Sequence, residues 1–475
     1  MKNYDIIIIG AGAAGLMAAV GAAESGCRVV VLEKMPRPGR KIMITGKGRC
    51  NFTNMKPWNE FSSHIHPKPN FLKPSFYNLT SEKMLEFMQE NGLETVVERG
   101  DRAFPASHLA TDVVDTLVRA AENAGAEILC GKEVQSVQCH EKDIQTSFIL
   151  QCSDGSLYSC RRLIVCTGGL SYPATGSTGD GYRFAGSFGH KISQLFPSLT
   201  AIVPLGYKTD DIDKADRLID GIGIFPPPGR GRGPLEKWEG ANGVNSLSAD
   251  EKYHINRSTP LSEAGKLLCG NQLKNIQLTV TIDGNEVQSE FGDLDFTDGG
   301  MEGPVGFKVS RKCVKALING CKVTATLDLK PAVDPESLRC RISRIWDEIC
   351  KDRRNSNKQY RDKFRILLGK VMPMSLIPAF LKAHPNADHK TLSKILKGWK
   401  FEIAGYVGYE RCVVTAGGIS CDEITAKTLE SKLIPGLYFA GEVLDLDADT
   451  GGYNLQTAFS TGYLAGISAA KPHKP

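Results

Sequence analysis

The chain has 475 residues, 41% of them hydrophobic and 23% charged, and 58 Lys plus Arg against 53 Asp plus Glu leave a net charge of +5. That length exceeds one ordinary core and predicts two or three domains. So mild a charge gives no nucleic-acid footprint, and the apolar content is that of a soluble globular protein.

The N-terminal apolar run is interrupted by Asp5 and by glycines and lacks a basic leader, so it reads as neither signal peptide nor membrane span. No other stretch is apolar enough to cross a bilayer. The fourteen cysteines never form a C-x-x-C pair, which predicts reduced thiols, no metal site and a cytoplasmic location.

Tyr4–Ile9 predicts a buried strand. Gly10-Ala11-Gly12-Ala13-Ala14-Gly15 follows, then small apolar residues to Gly26, then a second strand, Arg28–Leu32, that ends on Glu33. Strand, Gly-rich turn, helix, strand and acid at this spacing form a dinucleotide cradle. Gly10 permits the tight turn, Gly12 lets backbone approach a pyrophosphate, and Gly15 allows close helix packing. The helix N-terminus offers free N–H groups to phosphate, and Glu33 offers a carboxylate to a ribose diol.

From Lys34 to Asn54 runs a long basic, Gly-rich loop. Arg40, Lys41, Lys47 and Arg49 supply charge, and Gly46 and Gly48 permit close approach. It is expected to be an extended segment wrapping a polyanion. Two helices are predicted near Ser81–Met88 and Ala110–Ala124. Short strands follow at 127–129, 133–137, 147–150, 157–160 and 162–166, the last ending in Thr167-Gly168-Gly169. A helix is expected over Tyr182–Phe188.

Between Leu199 and Leu329 the strands become hairpin-like, around an Asp283-Gly284-Asn285 turn. Phe225–Asn256 is Pro/Gly-rich and reads as a loop excursion. Residues 334–400 are helical and charged, including a solvated face over Lys351–Arg365. Leu437–Ala440 is a buried strand ending on Gly441-Glu442, and Gly451-Gly452-Tyr453 opens a helix over Asn454–Ala470. The fold class is therefore α/β. A discontinuous Rossmann-like domain, 1–198 and 403–475, is interrupted by a β-rich domain at 199–332 with a loop insertion at 208–260. A small helical insertion follows at 333–402.

Three features favour FAD over NAD as the resident cofactor. The cradle lies at the chain start and runs into the basic wrap. A distant strand end, Gly441-Glu442, supplies a second edge for an extended ligand. The helix N-terminus at Gly452–Leu455, with Asn454, suits the pyrimidine end of a flavin, where reduction places negative charge. No second G-x-G-x-x-G has strand–helix context, so either a nicotinamide donor docks transiently at the flavin, or oxygen or another acceptor takes the electrons.

The N-terminal G-A-G-A-A-G-L, the loop G-R-K-I-M-I-T-G-K-G-R-C-N-F-T-N, the stretch L-I-V-C-T-G-G-L-S-Y-P-A-T-G-S-T-G-D-G and the terminal G-L-Y-F-A-G-E-V-L-D-L-D-A-D-T-G-G-Y-N-L-Q share one pattern. It resembles the BaiN/aminoacetone-oxidase-like group of bacterial FAD flavoproteins and covers most of the chain. The resemblance implies an FAD domain with β-barrel-like and helical insertions. It also implies FAD contacts at Ala14, Glu33, Lys34, Arg40, Lys41, Thr45, Gly46, Lys47, Gly48, Arg49, Cys50, Asn51, the Val134 backbone, Glu442 and Leu455. One barrel motif departs from the family pattern F-T-H-x-G-x-S-G-P: Asp298 replaces its His and Glu302 its Ser.

By resemblance the chain is expected to reduce conjugated double bonds of a 3-oxo steroid, as a 3-dehydro-bile acid Δ4,6-reductase does. The substrate would be apolar, a bile acid or its CoA thioester, with NAD(P)H as donor. Tyr453 or a backbone N–H is the candidate donor to the ketone oxygen. The alternatives are an FAD oxidase of small amines such as aminoacetone, and a flavin-carrying sensor or interaction protein without turnover. Cys50 has no second cysteine beside it for a disulfide relay. His108 reads as a surface loop residue, and Asp445, Asp447 and Asp449 as turn chemistry rather than metal ligands.

Overall fold

The computed structural model describes residues 1–142, 145–209 and 253–471. Most of the expected loop excursion at 225–256 lies outside them, as do the glycines of 221–233. The chain forms two compact units, Met1–Phe196 with Val413–Pro475, and Pro197–Cys412.

In the first unit, β1 (Lys2–Ile9) buries Ile6, Ile7, Ile8 and Ile9. A run this apolar suits a parallel strand covered on both faces. Helix α1 (Ala13–Ala23) is buried along its whole length, and β2 (Val29–Glu33) returns parallel to β1. The next strands of the same sheet are β3 (Glu127–Cys130), β4 (Val134–Lys142), β5 (Gln145–Cys152) and β6 (Leu157–Val165). Their order is β3-β2-β1-β6-β5-β4, and Leu437–Phe439 also pairs with β6. The N- and C-terminal parts of the chain thus share one sheet, with Leu163 opposite Leu437.

The two strands expected at 157–160 and 162–166 are one. Arg161 reads as an interruption, but it points outward and pairs with Asp5 on β1. The first half of β6 is antiparallel to β5, and its second half is parallel to Leu437–Phe439. The loop after β2 is also less extended than expected. It contains helix α2 (Arg40–Ile44), a 3-10 turn at Thr45–Gly48 and a short strand at Thr53–Asn54.

The C-terminal helix Tyr453–Ala470 lies directly on α1. A Cβ built at Gly462 or Gly466 would sit 2.1 Å from the Ala14 carbonyl oxygen or 2.2 Å from that of Ala18. The two helices therefore meet backbone to backbone.

The second unit contains a closed antiparallel barrel. Its strands run in the order Ile202–Pro204, Gly300–Glu302, Asn285–Thr297, Gln272–Ile282, Val323–Asp328 and Trp399–Tyr406. The last strand closes on the first, so the expected boundary at 402 falls inside a barrel strand. Helix Gly303–Ile318, within the stretch read as strands, packs on Asn285–Thr297 with Val309 and Cys313 fully buried. Helices Pro335–Lys351 and Tyr360–Val371 occupy the charged segment. Arg257 binds both departures from the barrel motif, Asp298 by hydrogen bonds and Glu302 at 3.5 Å. It holds the Asp298 carboxyl below its ordinary range, whereas burial pushes that of Glu302 up.

All fourteen cysteines are free thiols. Among the described residues no helix is long and apolar enough to cross a membrane, and no cluster of His, Cys, Asp or Glu could hold a metal ion.

Candidate functional site

The cradle follows its sequence pattern closely. Gly10 has φ +97°, and a Cβ there would meet the Cys166 carbonyl oxygen at 2.7 Å. At Gly15 a Cβ would lie 1.8 Å from the Gly10 carbonyl oxygen, so the helix starts in contact with the turn itself. Gly12 differs: a Cβ there meets nothing within 4 Å. It is the N-cap of α1, with no side-chain cap to occupy the first-turn N–H groups. Open space beside an uncapped, fully buried helix is what a pyrophosphate requires.

Glu33 ends β2 beneath the turn. Its two carboxylate oxygens accept from Ala11 N–H at 2.7 Å and Met35 N–H at 2.8 Å. Burial pushes the carboxyl up despite these donors. A carboxylate has about four acceptor positions, so two remain for ribose hydroxyls. Glu33→Ala is expected to weaken FAD retention about tenfold, the loss of one charge-assisted hydrogen bond. Flavin recovered after gel filtration measures it, and unchanged affinity would remove Glu33 from the ribose contact.

The basic wrap is turned largely onto protein partners. Lys34 Nζ donates to Thr178 Oγ1 at 2.5 Å and to Asp180 at 2.7 Å. Lys41 Nζ donates to Ser171 Oγ and to Glu442 Oε2, both at 2.8 Å. Glu442 Oε1 accepts from Ser171 Oγ at 2.6 Å and from Thr415 N–H at 2.9 Å. Burial pushes the Glu442 carboxyl up, but Lys41, Ser171 and Thr415 outweigh it and leave it below its ordinary range. The Thr415 hydroxyl in turn accepts from the N–H groups of Leu170 at 2.8 Å and Ser171 at 3.0 Å. Ser171 and Thr415 were not among the expected site residues. They anchor the Gly168-Gly169 turn to the Gly441-Glu442 strand end.

Arg49 points away from this network. It pairs with Glu98, donates to His108 Nδ1 at 2.9 Å and lies 4.5 Å over the Phe104 ring centre. Arg40 begins α2 half-buried, and Lys47 is exposed. Gly46, Lys47, Gly48 and Cys50 all have positive φ, a tight left-handed path that costs the two non-glycine residues backbone strain. Cys50 is fully buried, and burial raises its thiol to about 12, so it stays protonated. Thr45 donates its hydroxyl to the Ile42 carbonyl at 2.7 Å.

The buried Oδ1 of Asn51 has no hydrogen-bond partner. A Cβ at Gly452 would meet that oxygen at 2.9 Å and the Thr53 carbonyl at 2.5 Å. The wrap therefore touches the entrance of the helix Tyr453–Ala470, which has no side-chain cap either. The Asn454 side chain is committed to its own loop, exchanging hydrogen bonds with the backbone of Ala448 at 2.7 and 2.9 Å. Leu455 and Ala14 pack into the core, and Gly441 is held against Ala14. Val134 begins β4 opposite Cys152. An open Gly12, an acid with spare acceptor positions, two uncapped helix starts and an orphaned Asn51 oxygen all suit a dinucleotide flavin.

Tyr453 is buried, with its ring stacked on His64 at 4.3 Å between centroids and edge-on to Phe61 at 4.9 Å. Asp449 is not a turn residue in the expected sense. Its carboxylate binds His64 and His66, both absent from the expected site, and burial of the carboxyl is outweighed by these hydrogen bonds, which lower it to about 2.

Known proteins match along nearly the whole chain. A ribosomal RNA dihydrouridine synthase of Haemophilus influenzae is 28% identical, covering 99% of this chain and 100% of its own length. The protein of that name from Escherichia coli is 27% identical, covering 98% and 97%. A 3-dehydro-bile acid Δ4,6-reductase of Clostridium scindens is 28% identical, covering 98% of each. The model of the HI0933-like protein Rossmann domain matches residues 4–468. With that match and the cradle described above, the chain belongs to the HI0933-like family of FAD-dependent oxidoreductases.

Proposed function

We propose that this chain is an FAD-dependent reductase of a carbon–carbon double bond conjugated to a carbonyl, with a nicotinamide as electron donor. The observation that carries the reading is the flavin cradle on a chain matched over nearly its whole length by proteins named a Δ4,6-reductase and a dihydrouridine synthase. A Δ4,6-reductase of a 3-oxo steroid saturates an enone. Dihydrouridine differs from uridine by hydrogenation of C5=C6, a bond conjugated to the C4 carbonyl. Both reactions are hydride addition to a β-carbon followed by protonation.

The cradle and the wrap would hold FAD, which when bound would supply the hydride. The uncapped helix start at Tyr453 would offer its N–H groups to negative charge on a bound flavin. Lys41 and Glu442, through Ser171 and Thr415, fix the turn after β6 and would form part of the wall of the flavin site. The first substrate reading is a 3-oxo-4-ene steroid such as a bile-acid intermediate. The second, uridine in ribosomal RNA, is favoured by the names of two near-full-length relatives, so exclusion of nucleic acid from charge is not carried forward.

An anaerobic titration tests both. NADH or NADPH is expected to bleach the flavin, and either the steroid or a uridine-containing ribosomal RNA fragment to restore its colour with saturated product. Peroxide release on adding aminoacetone in air would replace this reading with an amine oxidase. Failure of every nicotinamide and amine to bleach the flavin would leave a protein without turnover.

A further inference from the structure

Saturating a conjugated double bond needs a proton as well as a hydride. The hydride forms the β-carbon C–H bond, and the double-bond pair moves toward the carbonyl oxygen as an enolate. A proton must then form the second C–H bond at the α-carbon.

The strand Ile65–His66 pairs antiparallel with Asp447–Ala448, which carries two imidazoles to one carboxylate. Asp449 Oδ2 accepts from His64 Nδ1 at 2.8 Å, and Oδ1 from His66 Nε2 at 3.2 Å. The backbone is locked in the same place. Asp449 N–H donates to the His64 carbonyl at 3.0 Å, and Asn454 Nδ2 donates to the Asp449 carbonyl at 3.2 Å. The Tyr453 ring lies on His64 with an interplanar angle of 21°. His64 is thus fixed in plane by an aromatic ring and in tautomer by a carboxylate. Its Nε2 is left to carry the exchangeable proton. The His64 and Asp449 side chains are 25% and 21% exposed, so the site is open to a ligand. The cluster stands three residues before Gly452, whose contact with Asn51 and Thr53 ties it to the flavin wrap. Glu60 and Asp101, both paired with Lys56, are the other charges that act on Tyr453.

We infer that His64, as the imidazolium, is the acid of this reduction, giving its Nε2 proton to the substrate α-carbon and keeping the Nδ1 proton on Asp449, with Asp449 and Tyr453 as positioning residues. The inference rests on the reaction proposed above. Hydride comes from the nicotinamide-reduced cofactor, the enolate takes the His64 proton, and solvent water restores it to the imidazole.

The two half-reactions of the holoenzyme, followed anaerobically by stopped flow, test it. His64→Gln is expected to be bleached by the nicotinamide within about threefold of the wild-type rate. Its reoxidation, by the steroid or by the RNA fragment, whichever reoxidises the wild type, is expected to slow about 100-fold, the usual contribution of a general acid. Wild-type 15N NMR gives a readout independent of turnover and of variant folding. Neutral His64 should be the Nδ1–H tautomer. Reoxidation of His64→Gln within threefold of wild type, or an Nε2–H tautomer in the wild type, overturns the inference. A wild type that neither substrate reoxidises defeats the reaction reading first, and this inference with it.

Discussion

A Gly15→Val chain is expected to purify colourless and to unfold at markedly lower urea. The built Cβ at Gly15 lies 1.8 Å from the Gly10 carbonyl oxygen and 3.4 Å from the Cys166 Cβ. Neither neighbour is the free end of a flexible side chain, so turn and helix must separate. Overpacking of this kind costs about 3 kcal/mol, and here it displaces the phosphate-facing backbone as well. Gly12→Ala is the informative contrast. Its Cβ meets nothing within 4 Å, and its φ of −83° suits any residue. Stability should hold within about 1 kcal/mol, while the methyl group enters the space assigned to pyrophosphate. Flavin absorbance and urea midpoints, measured on both variants, separate folding from binding. A Gly12→Ala chain that keeps its flavin would move the pyrophosphate elsewhere.

Lys41→Met should cost about 2 kcal/mol near neutral pH, between the values typical of exposed and fully buried pairs. The side chains of Lys41 and Glu442 are 25% and 16% exposed, so the charge left behind is poorly hydrated. The sign of the pH dependence follows from Glu442. Its folded carboxyl lies below the ordinary range, so its contribution is present above the unfolded value of about 4.3 and is lost as pH falls through the folded value. Without Lys41, burial is opposed only by Ser171 and Thr415, and the carboxyl rises. The deficit of the variant should therefore be largest near neutrality, begin to shrink as pH falls toward the unfolded value of about 4.3, and fade further as pH falls through the folded wild-type value. Adding Glu442→Gln should restore part of the stability, because an amide can still accept from Thr415 N–H and Ser171. Urea unfolding across pH measures each effect, and a deficit independent of pH would show that the pair is not the cause.

The cradle was legible because its signal is local. Turn, helix and strand occupy thirty-three residues; Gly15 answers to the Gly10 carbonyl within that span, and Gly10 to Cys166 just after β6. The long wrap was legible in composition but not in shape. A run of Lys, Arg and Gly shows that charge and close approach are available, not where each charge turns. Arg49 turned to Glu98 and His108, whereas Lys41 turned to Glu442, 401 positions away. Ser171, Thr415, His64 and His66 escaped for the same reason: the role of each lies in a partnership between distant segments, even for Ser171, which sits inside a quoted stretch. The split reading of β6 had a different cause. Arg161 breaks the apolar run, but it sits at an exposed position of the strand, where its charge stays in solvent and meets Asp5 on β1.

Sequence by itself determined the cofactor class, the start of the parallel sheet and the return of the chain to that sheet near Leu437. Strand hydrophobicity and glycine spacing are properties of short segments, so they survive without knowledge of the fold. Tertiary structure decided which charges pair, how closely α1 and the terminal helix approach through Gly462 and Gly466, and that His64 meets Asp449. These depend on the register of segments hundreds of residues apart. Nothing in the covalent chain states that register; it follows from burying both faces of the sheet while every buried charge finds a partner.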